Sequence, residues 1–75
     1  MKAYVLITAR TGEASALVRQ VLRLEGVLEA HITFGPYDAV AVVEANSTKE
    51  IGNIVFSLIH PIPGVINTLT CLAVD

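Results

Sequence analysis

Twice along this chain of 75 residues, a stretch with helical apolar spacing is flanked on both sides by stretches with strand spacing. That order leaves few ways to fold. Lys2 to Ala9 is a run rich in Val, Leu, Ile and Tyr that ends at Thr11-Gly12 and reads as a buried strand. From Glu13 to Glu25 the period becomes helical. Ala14, Leu17, Val18, Val21, Leu22 and Leu24 gather on one side, opposite Glu13, Arg19, Gln20 and Arg23. Thr11 or Gly12 is placed to cap this helix, Glu13 suits its positive end, and Gly26 supplies a left-handed stop.

Val27 to Phe34 alternates, with Leu28, Ala30, Ile32 and Phe34 on one face and Glu29, His31 and Thr33 on the other. Gly35-Pro36-Tyr37-Asp38 is a turn, because proline fixes φ and cannot continue a ladder. Asp38 to Ala45, mostly Ala and Val, reads as a third strand. A tight turn with Pro36 and Tyr37 at its tip pairs Phe34 with Ala39, Ile32 with Ala41 and Ala30 with Val43. Large side chains then face small ones beneath a helix. The same register sets Glu29 against Glu44, which solvent or a bulge must relieve.

Ser47-Thr48-Lys49-Glu50 is a capping box. Ile51, Ile54, Val55, Leu58 and Ile59 follow at i, i+3, i+4, i+7 and i+8 as a full apolar stripe. Pro61, Pro63 and Gly64 end that helix, and Val65 to Val74 reads as the last strand. The order is β-α-β-β-α-β. Right-handed crossovers put both helices on one face of a single sheet, giving an α+β, ferredoxin-like sandwich of four antiparallel strands and two helices as one domain over residues 1–75.

Helices shield only one side of such a sheet, yet the first strand is apolar at both parities, with Tyr4 and Leu6 on one side and Val5 and Ile7 on the other. The third strand offers Val40 and Val42 opposite Ala39, Ala41 and Val43. The fourth offers either Ile66, Leu72 and Val74 or Val65, Leu69 and Cys71. A sheet wet on one face alternates with polar residues, so an uncovered apolar patch is predicted. The composition agrees: the chain is 53% hydrophobic and 16% charged, and a domain this small hides only about 60% of its unfolded surface. A second copy laid sheet to sheet is the expected cover.

Charge and cysteine content narrow the function. Five Lys and Arg against seven Asp and Glu give a net charge of −2, and the basic residues are scattered. Direct nucleic-acid binding is therefore disfavoured. A single cysteine, Cys71, forms no internal disulfide, and no Cys/His cluster suggests a metal or other cofactor. No apolar run has signal-peptide or membrane-spanning character, which fits a cytoplasmic protein without a membrane partner.

Catalytic candidates are few. His31 alternates with Glu29 and Thr33 and reads as a packed or interfacial histidine. His60 at a helix C-terminus suits the dipole, and Cys71 reads as inert packing. Arg10 before Thr11-Gly12 reads as a solvated loop charge, not a phosphate ligand. A small enzyme on a ferredoxin-like dimer would need polar groups inside the sandwich, and the apolar sets supply none. The Gly35 to Asp38 turn is richer. It is either a hairpin whose Asp38 bonds local amides, or a small-molecule site whose amides take a carboxylate while Asp38 or Tyr37 meets an ammonium group.

Gly26-Val27 with Glu29, then Thr33-Phe34-Gly35-Pro36-Tyr37-Asp38-Ala39-Val40, then Ile62-Pro63-Gly64-Val65 leading into Thr68-Leu69-Thr70, resemble the RAM domain, the effector-binding module of the leucine-responsive regulator/AsnC family of transcription factors. The turn is similar to that family's Gly-x-Tyr-Asp. The resemblance spans essentially the whole chain. It implies sheet-to-sheet dimers (a dimeric α+β barrel), further assembly into rings, commonly of eight chains, and binding of a free amino acid between dimers. Carried over by position, Gly35, Tyr37 and Asp38 are the implied ligand contacts, with Thr68 and Thr70 as weaker candidates. No helix-turn-helix precedes Met1, so the expectation is a stand-alone module that modulates full-length regulators through shared interfaces. The competing expectation is a purely structural oligomerisation module that binds no ligand. Phe56, off the helical stripe, and Gly52, a costly residue inside a helix, stay unexplained at this level.

Overall fold

A computed structural model describes residues 1–75. It contains β1 (Lys2–Ala9), α1 (Ala14–Val21), β2 (Val27–Ile32), β3 (Ala39–Glu44), α2 (Thr48–Asn53), which continues as a π-helical segment (Ile54–Ile59), and β4 (Val65–Leu72). The sheet order is β2-β3-β1-β4 and every neighbouring pair is antiparallel. This is the ferredoxin-like arrangement that the order of periodicities requires. No helix is long and apolar enough to cross a membrane.

The core lies between the helices and one face of the sheet. Ala3, Val5, Ile7 and Ala9 of β1 and Ala39, Ala41 and Val43 of β3 meet Leu17, Val18 and Val21 of α1 and Ile51, Val55 and Ile59 of the second helix. Alanines under the helices let them sit close, and no polar or charged residue is buried among them. The opposite face carries Tyr4, Leu6, Val40 and Val42, as alternation along β1 and β3 demands. On β4, Leu69 lies opposite Leu6 and Cys71 opposite Tyr4, so these two join the uncovered face. A bulge at Ile66, where Asn67 pairs with Thr8 but Val65 with Ala9, turns Val65 back to the core.

The β2–β3 register differs by two residues from the tight-turn expectation. Ile32 pairs with Ala39, Ala30 with Ala41 and Glu29 with Val42. Proline at position 36 donates no amide, and Asp38 turns away to β1, so the loop widens to Phe34–Tyr37. It closes through the Thr33 amide to the Asp38 carbonyl (3.0 Å) and the Thr33 hydroxyl to the Tyr37 carbonyl (2.7 Å). An even shift preserves which face each side chain takes. The burial expected of the alternating set is nevertheless corrected. Only Ala30 is core, Leu28 falls in a bulge, Ile32 is exposed, and Phe34 lies beyond the strand and wholly in solvent. The same two-residue shift sets Glu29 against Val42, removing the expected like-charge pair with Glu44.

Both helices depart from the expected outline at their ends. The first stops at Val21, leaving Leu22 exposed, and its N-cap is Glu13 without a side-chain cap bond. Glu13 instead pairs with exposed Arg10 at 3.0 Å. The second has the expected cap, Ser47 Oγ accepting from the Glu50 amide at 3.2 Å, while the Glu50 carboxylate reaches back to the Asn46 amide at 2.9 Å. Its stripe narrows to Ile51, Val55 and Ile59; Ile54 is half-buried and Leu58 exposed. A spacing of four advances about 40° on an α-helix, and the wider π turn swings the next step back, so every fourth residue stays on one line.

Gly26 joins α1 to β2 at φ +93°, and its carbonyl accepts from the Glu44 amide at 2.8 Å. A Cβ there would stand 2.8 Å from Ile54 Cδ1 and 3.2 Å from the Glu44 carbonyl oxygen. Left-handed strain and the backbone contact add, so Gly26→Ala is expected to cost about 1–3 kcal/mol, read as a lower urea midpoint. An unchanged midpoint would show that this corner relaxes freely.

Candidate functional site

The Gly35–Asp38 turn sits at the end of the sheet where β1 finishes. Gly35 adopts φ +145°, a conformation that side-chain-bearing residues rarely take. Asp38 is anchored twice to β1: its amide donates to the Ile7 carbonyl at 2.9 Å, and its Oδ2 accepts from the Ala9 amide at 2.7 Å. The carboxylate thus supplies the acceptor that the ladder lacks where β3 diverges. Tyr37 and Asp38 are half-buried, while Phe34, Gly35 and Pro36 project into solvent. The Asp38 carboxylate does not bond the amides of its own turn, as the hairpin reading expected, but takes an amide 29 residues away on β1.

Thr68 and Thr70 lie on β4, opposite Ile7 and Val5, so their side chains take the helix side of the sheet. In the row that crosses Ile7, Ala39 is on one side and Thr68 on the other. Strand β1 therefore separates the turn from the threonines, by about 10 Å at two strand spacings. The five candidate residues fall into two groups at one end of the sheet and do not converge within one chain.

The threonines border a groove of about 460 Å³ between β4 and the second helix. From the helix side Gly52, Phe56 and His60 line it, beside Thr48, Ile51 and Val55. His60 Nε2 and Thr68 Oγ1 are 2.6 Å apart, and the Phe56 ring meets the His60 ring edge-on with centroids 5.1 Å apart. His60, expected only to complement a helix end, is thus part of the wall. Its signal in the sequence was the spacing of four from Gly52 and Phe56, a second line beside the buried stripe. His31 is exposed and pairs with Glu29 at 3.1 Å. Cys71 is exposed on the uncovered sheet face, correcting its reading as packing inside the chain.

The Lrp/AsnC ligand binding domain family matches residues 2–75. An HTH-type transcriptional regulator of Pyrococcus abyssi is 34% identical over 59 residues, covering 79% of this chain and 39% of the regulator. The HTH-type transcriptional regulator FL11 of Pyrococcus horikoshii is 29% identical over 72 residues, 96% of this chain and 47% of the regulator. The chain therefore spans less than half the length of these relatives. Among solved structures, TTHA0845 of Thermus thermophilus superposes with a TM-score of 0.93 at 35% identity, over 99% of this chain and 92% of that one. By its match over nearly every residue, on the fold that its sequence dictates, this chain belongs to the Lrp/AsnC ligand-binding domain family.

Proposed function

We propose that the chain is an amino-acid-binding regulatory module that works as an assembly. Copies pair through the uncovered sheet face, and pairs close into a ring such as an octamer. A free amino acid binds where the Gly35–Asp38 turn of one copy meets another. Family membership supports effector binding in transcription regulation. The observation that carries the finer reading is the split of the candidate residues: β1 keeps Gly35, Tyr37 and Asp38 away from Thr68 and Thr70, so a second copy is needed to complete a site. A Neisseria meningitidis transcriptional regulator of the same fold, 14% identical with a TM-score of 0.87, was solved as a complex with L-Met; an amino acid is the corresponding ligand class here. The same sheet face would let the module pair with the matching domain of longer regulators.

Thermal-shift and calorimetric screening of the assembled protein against the twenty amino acids tests this. At least one is expected to raise the melting temperature at millimolar concentration, since a ligand at 100 times its Kd adds about 2.7 kcal/mol. Asp38→Asn keeps an oxygen for the Ala9 amide and is expected to stay folded while weakening binding at least about tenfold. Asp38→Ala also loses the anchor and is expected to cost about 1–3 kcal/mol of stability. No shift with any amino acid would leave a structural oligomerisation module as the surviving reading.

A further inference from the structure

The second helix carries two lines of residues at a spacing of four. Ile51, Val55 and Ile59 are buried in the core. Gly52, Phe56 and His60 run alongside and face the groove on β4. Gly52 is the odd member. Its φ is ordinary, and a Cβ placed on it would meet nothing within 4 Å. Neither backbone conformation nor crowding demands glycine there, although it costs about 1 kcal/mol against alanine inside a helix. Its one structural effect is to leave open the end of the groove away from His60.

Phe56 is 69% exposed, an aromatic ring whose only ring partner in the chain is the edge of His60. Across from it, Leu72 and Thr70 are exposed on the helix side of β4. The groove volume of about 460 Å³ falls in the range usual for small-molecule sites, roughly 300–1,000 Å³. Its lining holds no Lys, Arg, Asp or Glu, so a charged group entering it would lose water without meeting a counter-charge. His60 and the Thr68 hydroxyl, 2.6 Å apart, form a polar pair at one end, and the other polar side chains of the lining, Thr48, Asn67 and Thr70, are all uncharged.

We infer that this groove receives the effector's side chain and selects an uncharged, apolar one of leucine to phenylalanine size. Gly52 sets the depth of the groove and Phe56 forms its wall. His60 is a positioning residue that orients the Thr68 hydroxyl toward the polar head of the ligand. The inference rests on the effector-binding reading and adds the class of side chain and the residues that choose it.

Calorimetric titration of the assembled wild-type protein with Leu, Met, Phe, Ala, Asp and Lys, repeated for Gly52→Leu and Phe56→Ala, tests it. Leu, Met or Phe should bind most tightly. Gly52→Leu should lose about tenfold or more in affinity for the large apolar ligands and much less for Ala, with an equal or higher melting temperature because a helical glycine is gone. Phe56→Ala, at an exposed position, should weaken the large ligands similarly without changing the fold. Asp or Lys binding as tightly as Leu would overturn the inference. So would unchanged affinities in both variants alongside weakened binding in Asp38→Asn, an outcome that leaves the effector reading standing. Binding of none of the six by wild type would overturn the groove assignment, and silence across all twenty amino acids the effector reading as well.

Discussion

Leu6→Asp is expected to yield a folded monomer that no longer responds to any amino acid. Leu6 occupies the middle of the uncovered sheet face, with Val40 on one side and Leu69 on the other. In a lone chain an aspartate there stands in water and touches none of the residues between sheet and helices, so the fold should tolerate it within about 1 kcal/mol. Two sheets packed about 10 Å apart would instead bury it near its own symmetry mate. An unpaired charge removed from water costs several kcal/mol, and pairing by twofold symmetry makes that cost count twice. A stable interface needs roughly 800 Å² from each partner, about one sixth of the 4694 Å² surface of this chain. Light scattering at micromolar concentration should report twice the chain mass or more for wild type and one chain mass for Leu6→Asp, with matching circular dichroism. A wild-type monomer at that concentration, or an undisturbed oligomer in the variant, would remove the sheet face from the assembly.

The elements that follow from local chemistry were legible in the sequence. The β1 boundaries, the Ser47 cap and the two apolar faces of β1 and β3 each depend on spacing along one segment, and the structure has them. Misread features depend on how segments meet. The hairpin register hinged on Asp38 preferring β1 to its own turn, a choice involving Ile7 and Ala9, some thirty residues away. Phe34 and Ile32 alternate as core residues do, but the helices do not extend over that corner, and alternation carries no information about how far a layer reaches. The π segment escaped notice because its stripe, at a spacing of four, satisfies an α template almost as well.

For the candidate site, the turn motif was legible as chemistry and by resemblance, the threonines by resemblance alone. Their separation by β1 was not, since it follows from strand order and register. Gly52 and Phe56 were visible as anomalies, a costly glycine and a ring off the stripe. Only the placement of β4 beside the helix turned them, with His60, into the wall of a groove.

The neighbour of Leu6 along β1 gives the complementary result. Ile7 is 1% exposed and points to the core, between Ala39 and Thr68 in the register. Ile7→Ala removes three carbons from a site whose neighbour across the pair is already an alanine, so the cavity cannot collapse onto a larger side chain. The expected cost is about 2–5 kcal/mol. Domains hold about 0.05–0.15 kcal/mol per residue, which for a chain of this length is roughly 4–11 kcal/mol, so the variant forfeits a large share of its stability. The loss should shrink as protein concentration rises, because the uncovered face is intact and association draws on the folded form alone. Urea midpoints measured at several concentrations should therefore climb for Ile7→Ala and wild type but stay flat for Leu6→Asp. Adjacent residues with opposite directions on one strand thus separate folding from assembly. A midpoint independent of concentration in all three proteins would show that the chain is stable without a partner, and that its apolar sheet face is covered by something other than another copy.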